Sequence, residues 1–98
     1  MEKIRVIWAY TSDILCVPEL ISQNLYEYTS DFLEWVEGTS FDDEIQDATC
    51  FASEHFVQYL NDRYLSESWE KAYVMYENYS PKTERERREW KKMRKIYF

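Results

Sequence analysis

Lysine and arginine are missing from most of this chain. The 57 residues between Arg5 and Arg63 contain no basic residue, whereas twelve carboxylates, from Asp13 to Asp62, fall in the same stretch. Soluble domains normally intersperse both signs, because a surface of a single sign repels itself. This absence argues against nucleic acid as a ligand of this part of the chain. It favours a basic macromolecular surface as the partner.

Positive charge is concentrated at the end of the chain. Residues 1–80 hold sixteen acidic and four basic residues, a net charge of −12. The last 18 residues hold eight basic and three acidic residues, a net charge of +5, which brings the whole chain to −7. We therefore expect an acidic α+β domain over 1–80 and a basic C-terminal helix over 81–98. This helix is expected to dock on the acidic body and neutralise it. The alternatives are a tail that is free or contacts the partner, and a tail that binds nucleic acid.

Glycine, proline and cysteine are also scarce. One glycine and two prolines in 98 residues leave little material for flexible linkers, and this length allows a single domain. A single glycine also excludes a glycine-rich phosphate-binding loop. Cys16 and Cys50 lack CxxC spacing, and no apolar run approaches the ~18 residues of a membrane span. We expect a cytoplasmic protein with two reduced thiols and no membrane contact.

Residues suited to catalysis or metal binding are few. His55 is the only histidine of the chain. Cys50 and His55 are five positions apart on a predicted helix and point to different sides, so they do not form a thiolate–imidazole pair. Together with Cys16 they match no zinc-ligand spacing. We therefore expect no enzymatic activity, no cofactor and no metal.

The first part of the chain predicts a hairpin followed by an amphipathic helix. Residues 3–8 and 14–17 are short apolar runs separated by turn residues, which is typical of paired strands. Ser22 is a plausible N-cap for a helix that runs to Glu37 and stops at Gly38. Three- and four-residue spacing predicts the core-facing stripe of this helix: Leu25, Tyr28, Phe32, Trp35 and Val36.

The second part predicts two further helices and a strand. Apolar spacing favours one helix from about residue 41 to 65, with a break near Thr49 as the alternative. Residues 69–76 are aromatic and favour a strand. Ser80 and Pro81 then predict the start of a last helix, whose apolar side would consist of Trp90, Met93, Ile96 and Tyr97. The expected fold is a small single α+β domain.

Two clusters of carboxylates are the candidate binding residues. Glu27, Asp31 and Glu34 are spaced by four and three positions on one helix, and each such pair costs a helix roughly 0.2–0.5 kcal/mol. A solvated face is the alternative interpretation of this stripe. Tyr26 lies off the core stripe beside these carboxylates and is a candidate aromatic contact. The second cluster consists of Asp42, Asp43, Glu44 and Asp47.

The order of apolar and aromatic residues also resembles a known group of proteins. An opening strand at residues 4–6 is followed by an apolar step at 14–15, a Leu-x-x-Trp-like element at 32–35 and an Asp-containing junction at 41–43. A helix led by phenylalanine (Phe51, Phe56, Leu60) and a closing aromatic strand at 73–76 complete the pattern. About three quarters of the chain thus resembles small immunity proteins encoded beside bacterial polymorphic toxins, including those of contact-dependent growth inhibition. A tryptophan expected after the first loop is missing, and the basic C-terminal helix is additional.

The resemblance implies an immunity protein that binds a cognate basic toxin domain, a nuclease in the first instance. Carboxylates would pair with arginine and lysine side chains in the groove that normally receives phosphates, and complementary charge would speed association. A phage- or plasmid-encoded inhibitor or DNA mimic, acting on a host defence nuclease, would need the same surface. A structural adaptor whose tail helix docks into a larger assembly is the alternative from another class.

Overall fold

The computed structural model describes residues 1–7, 11–38 and 53–98. Within these ranges it contains four strands and four helices, which confirms the α+β fold class. None of the described helices is long and apolar enough to cross a membrane. In chain order the elements are β1 (Glu2–Ile7), β2 (Ser12–Val17), α1 (Glu19–Gln23), α2 (Leu25–Gly38), α3 (Ser53–Arg63), β3 (Tyr73–Tyr76), α4 (Glu84–Lys92) and β4 (Arg94–Tyr97).

The strands form one mixed sheet in the order β3-β2-β1-β4. The predicted hairpin is confirmed, since β1 and β2 pair antiparallel with Ile4 opposite Leu15. β3 pairs antiparallel with β2. β4 lies parallel to β1, with Val6 opposite Ile96. The N-terminal strand β1 is therefore a central strand of the sheet, and the C-terminal strand β4 is the edge strand next to it.

One face of the sheet carries the hydrophobic core. Successive side chains of a strand point to opposite faces, so alternate residues of β1 and β2 lie on the same side. Helices α2 and α3 cover this side, and the ring centroid of Phe32 lies 5.2 Å from that of Phe56. The fully buried apolar residues of this layer include Ile4, Val6, Leu15, Val17, Ile21, Phe32, Phe56 and Leu60.

The other face of the sheet is covered by α4. Arg5 lies between Ile4 and Val6 in β1 and therefore points away from the core. Its guanidinium carbon is 3.9 Å from the ring centroid of Trp90 on α4. Arg5 is 6% exposed. The sheet thus lies between a layer of α1, α2 and α3 and a second layer that consists of α4.

Ser22 does not cap the first long helix, as the sequence predicted, but lies inside α1. Its buried hydroxyl donates a hydrogen bond to the Glu2 carboxylate at 2.5 Å. The helical segment begins earlier, because the Pro18 carbonyl accepts the backbone N–H groups of Ile21 and Ser22. Asn24 then interrupts it with a non-helical backbone (φ −125°), and α2 begins at Leu25. The predicted core stripe of α2 is confirmed, with Leu25 and Phe32 buried and Tyr28, Trp35 and Val36 packed against the core.

The C-terminal segment differs most from the sequence prediction. Thr83, not Ser80, is the N-cap of α4, and its hydroxyl accepts the Glu86 N–H at 3.1 Å. The helix ends at Lys92, because Met93 is extended (φ −67°, ψ 143°). The prediction of helix for Ile96 and Tyr97 is wrong, since both lie in β4. As a strand residue Ile96 reaches the core beside Val6, which a continued helix would not allow.

Two further predicted elements are shorter in the structure. The predicted strand over 69–76 begins only at Tyr73, and Trp69 is fully exposed in the preceding loop. The predicted helix over 41–65 is represented by α3, which spans Ser53–Arg63. The beginning of that prediction, including the break near Thr49, lies outside the described residues.

Candidate partner-binding surface

Helix α2 has one buried and one exposed side. Leu25 and Phe32 face the core, whereas Tyr26 is 85% exposed and Leu33 is 36% exposed. The helical period of 3.6 residues explains the difference, because positions one step from the core stripe are rotated about 100° away from it. The exposed side therefore combines Tyr26 and Leu33 with carboxylates that are spaced by four and three residues along the helix.

The predicted carboxylates of α2 are all exposed to solvent. Glu27, Asp31 and Glu34 lie on the outer side of the helix. Among the described residues no lysine or arginine forms an ion pair with them; the ion pairs found there, Arg85–Glu89 and Arg88–Glu84, both lie within α4. No ion pair within the described part of the chain therefore neutralises the negative charge of α2.

A cluster of tyrosines supports the acidic side chain in the middle of α2. The Tyr64 hydroxyl donates a hydrogen bond to the Asp31 carboxylate at 3.3 Å. The Tyr64 ring packs edge-to-face against Tyr28 (4.8 Å between centroids) and against Tyr59 (5.8 Å). Burial, followed by the hydrogen bond to Tyr64, raises the pKa of Tyr59. Burial also raises the pKa of Tyr28. Electrostatic repulsion from Tyr64, Glu27 and Asp31 raises it further. Ionisation of Tyr28 and Tyr59 is thus moved further above neutral pH.

We call this region the α2 surface. It joins carboxylates to exposed aromatic and aliphatic groups, the combination that favours recognition of a basic protein face. Sequence reasoning named four of its six residues. It missed Leu33, which could have been found from its place off the core stripe, and Tyr64, which joins only through tertiary contact. The α2 surface consists of Tyr26, Glu27, Asp31, Leu33, Glu34 and Tyr64.

The second predicted acidic cluster cannot be placed beside the first. Its four residues, Asp42, Asp43, Glu44 and Asp47, lie outside the described ranges. Cys50 lies outside them as well. Within residues 1–7, 11–38 and 53–98, no three His, Cys, Asp or Glu side chains come together as a possible metal site.

The two described residues with reactive side chains lie on opposite sides of the sheet. Cys16 is buried and alternates with the core residues Leu15 and Val17, so it faces the α4 side. Its sulfur is 3.7 Å from that of Met75. His55 is half-buried on α3, on the core side. Cys16 and His55 therefore cannot act as a nucleophile–base pair.

The basic residues of α4 lie away from the α2 surface. α4 packs on the opposite face of the sheet, through Trp90 and Arg5. The expected neutralisation of the acidic body by this helix is therefore not achieved by contact with α2. Arg94 pairs in register with Ile4 and alternates with Lys95, so it points to the core side of β4. The exposed basic residues of the α4 side in this segment are Lys82, Arg85, Arg87, Arg88, Lys91, Lys92 and Lys95.

A cavity of about 510 Å³ lies between α4 and the segment that follows β3. One wall carries Tyr76 and Tyr79, which stack at 5.3 Å between ring centroids. The charged groups of the lining have both signs, so the cavity indicates no class of ligand. These charged residues are Lys3, Glu77, Lys82, Glu86 and Glu89.

Comparison of the chain with protein-family profiles, with curated proteins and with solved structures finds no match in any of the three. The α2 surface must therefore be interpreted from its own chemistry. It combines negative charge, solvent exposure and aromatic side chains.

Proposed function

We propose that this protein is a non-enzymatic binding protein that neutralises a basic partner domain through the α2 surface. The observation that carries the proposal is the exposed set of Glu27, Asp31 and Glu34, which form no ion pair within the described part of the chain, beside the exposed Tyr26 and Leu33. Like charges at these spacings destabilise a helix. A partner with the opposite charge removes that repulsion when it binds.

The two kinds of side chain have different roles in this proposal. Carboxylates attract the partner over a distance and can raise association rates to ~10⁸ M⁻¹s⁻¹ or higher at low salt. Tyr26 and Leu33 provide contact area that loses water on binding and so slows dissociation. Tyr64 holds Asp31 in position through its hydrogen bond and so reduces the entropy lost on binding.

In its finer form, the proposal is an immunity protein of a bacterial toxin system that acts in the cytoplasm. A nuclease presents positive charge to its phosphate substrate, and the carboxylates of the α2 surface would occupy the positions of phosphates. The resemblance to immunity proteins of polymorphic toxins supports this form. An inhibitor of a host defence nuclease would use the same chemistry and differs only in the partner.

The adaptor alternative depended on an apolar tail helix that docks into another assembly. Ile96, one of the four residues of that predicted apolar side, is only 7% exposed and belongs to the protein's own core. Trp90 stacks on Arg5. Two of the four residues of this apolar side are thus used within the fold, which favours the binding function of the α2 surface over the adaptor.

The proposal is tested by reversing charge on α2. Glu27→Lys combined with Glu34→Lys changes two exposed side chains, so the fold should remain intact. The protein encoded beside this chain's gene is purified, and its association is followed by stopped-flow fluorescence. We expect association to slow by about tenfold or more at low salt, because steering charge is lost. The difference should shrink in high salt.

The matched control is Glu84→Lys combined with Glu89→Lys, which changes net charge equally on α4. The ion pairs lost there are exposed and worth no more than about 1 kcal/mol each. Equal slowing by both double variants would show that net charge alone matters and would contradict the placement on α2. Unchanged association in the α2 double variant would contradict the proposal itself.

A further inference from the structure

Trp69 is held in solvent by the loop between α3 and β3. Its relative exposure is 101%, the highest among the large hydrophobic residues that the structure describes as exposed. Scattered exposed apolar residues are common, but a fully exposed tryptophan is unusual, since this side chain is highly buried on average. Tryptophan is also among the residues most enriched at the energetic centre of interfaces. The position therefore indicates a contact with another molecule.

The loop that carries Trp69 is fixed at both ends. On its N-terminal side, Leu65 is buried and the Ser68 N–H donates to its carbonyl at 3.1 Å. On its C-terminal side, the Asn61 side chain bonds the N–H and the carbonyl of Ala72 at 2.8 and 2.9 Å. The Lys71 ammonium also donates to the Leu65 carbonyl. A tryptophan on such a loop loses little conformational freedom when it binds.

The strand that follows this loop is an edge of the described sheet. β3 pairs with β2 on one side only, and its four residues carry no charge. Tyr73 and Tyr76 are half-exposed. The other edge strand, β4, carries the exposed Arg94 and Lys95, and charged side chains of this kind commonly protect an edge from pairing with another chain. Among the strands that the structure describes, β3 is thus the edge that is open to an added strand.

The charged residues around β3 favour a basic strand as its binding partner. Between Tyr64 and Pro81 the only basic residue is Lys71, whose ammonium is bonded within the loop. Glu67, Glu70 and Glu77 of the same segment are exposed. A second copy of this chain would bring a net charge of −7 against −7. A strand with arginine or lysine side chains would instead be attracted.

We propose that Trp69 and the outer edge of β3 bind an extended strand of a basic protein. The added strand pairs its backbone with β3, and a basic side chain lies over the Trp69 ring in a cation–π contact. This inference rests on the proposed function for the charge of the partner. It assigns that partner a second contact, separate from the α2 surface.

The test uses a synthetic peptide of alternating arginine and valine with blocked ends. A matched peptide carries N-methyl groups at alternate residues, which removes the donors needed to pair with β3 and keeps the charge. Binding to the isotope-labelled protein is followed by NMR shifts and amide exchange. We expect the unmodified peptide to shift the Trp69 indole and slow exchange in β3, and the N-methylated peptide to bind at least tenfold more weakly. Equal binding of both peptides, or equal effects on β4, would overturn the strand-addition proposal.

Single variants then separate the aromatic contact from the rest. Trp69→Ala should weaken peptide binding about fivefold, the value expected for an exposed cation–π contact. Tyr97→Ala, which removes an exposed aromatic from the other edge strand, should leave binding unchanged. If Trp69→Ala has no effect on binding, the proposed role of Trp69 is refuted. If the free protein self-associates through β3 in a concentration-dependent way, the partner of β3 is a second copy of the chain and not a basic strand. The double change Glu27→Lys, Glu34→Lys should leave β3 as the peptide's binding site, so failure of the α2 surface and failure of the β3 site are distinguishable.

Discussion

The two faces of the sheet are covered in different ways. On the core side, Phe32 and Phe56 are fully buried between the helices and the strands. On the other side, α4 contains no buried residue, and its main contact is Trp90 stacked on Arg5. One side therefore provides most of the hydrophobic stabilisation. The other side holds a polar helix that is attached through few contacts.

The same division separates the charges of the molecule. The acidic α2 surface lies on the core side, and the basic residues of α4 lie on the opposite side of the sheet. Among the described residues no ion pair joins the two sets of charges, because the ion pairs found there both lie within α4. This separation explains how a chain with a basic tail can keep an unneutralised acidic surface.

The largest loss of stability is expected from a substitution in the core side of the sheet. Phe32→Ala removes a fully buried ring that packs within about 6 Å of Phe56, Tyr59 and Phe98. We expect the free energy of unfolding to fall by about 3–5 kcal/mol, as for other buried phenylalanines. Urea unfolding followed by circular dichroism measures the loss. A loss below about 1 kcal/mol would show that the core is not centred on this residue.

A smaller effect is expected on the α4 side. Trp90→Ala removes the ring that covers the buried Arg5 guanidinium, whose Nε finds no hydrogen-bond partner among the described residues. We expect a loss of about 1–2 kcal/mol, the range of a partly desolvated cation–π contact. Amide exchange should quicken in α4, whereas β4 should stay protected through Ile96 in the core.

A double-mutant cycle with Arg5→Met separates this contact from general packing. Methionine keeps much of the side-chain volume and removes the buried charge. The coupling energy between positions 5 and 90 should be about 1 kcal/mol or more, because only the pair provides the cation–π contact. Strictly additive losses would mean that Trp90 stabilises the fold by burial alone. If Trp90→Ala lowered the free energy of unfolding as much as Phe32→Ala does, the proposed difference in stabilisation between the two sides of the sheet would be wrong.

Elements with a clear period were predictable from the sequence. The β1–β2 hairpin follows from two short apolar runs with turn residues between them, and the buried stripe of α2 follows from spacing of three and four. These patterns are local, so no knowledge of the rest of the fold is needed. The outward position of Tyr26 and of the α2 carboxylates follows from the same period.

Features that depend on distant partners were not predictable. Ser22 resembles a helix cap in sequence, but the Glu2 carboxylate 20 residues away binds its hydroxyl inside α1. Residues 94–97 suit a helix by local spacing, yet pairing with β1 makes them a strand. Tyr64 joins the α2 surface only because α3 brings it to Asp31. In each case a tertiary contact outweighs a weak local preference.

The smallest effect is expected from removing one charge of the α2 surface. Asp31 is four residues from Glu27 and three from Glu34, so Asp31→Asn removes both repulsive pairs, and the amide oxygen can still accept the Tyr64 hydrogen bond. We expect the protein to become more stable by about 0.5 kcal/mol at low salt and by less in high salt, in thermal unfolding scans. A loss of stability would show that the charged hydrogen bond to Tyr64 outweighs the repulsion. Greater stability with slower partner association would instead mean that the chain keeps a destabilising charge because binding requires it.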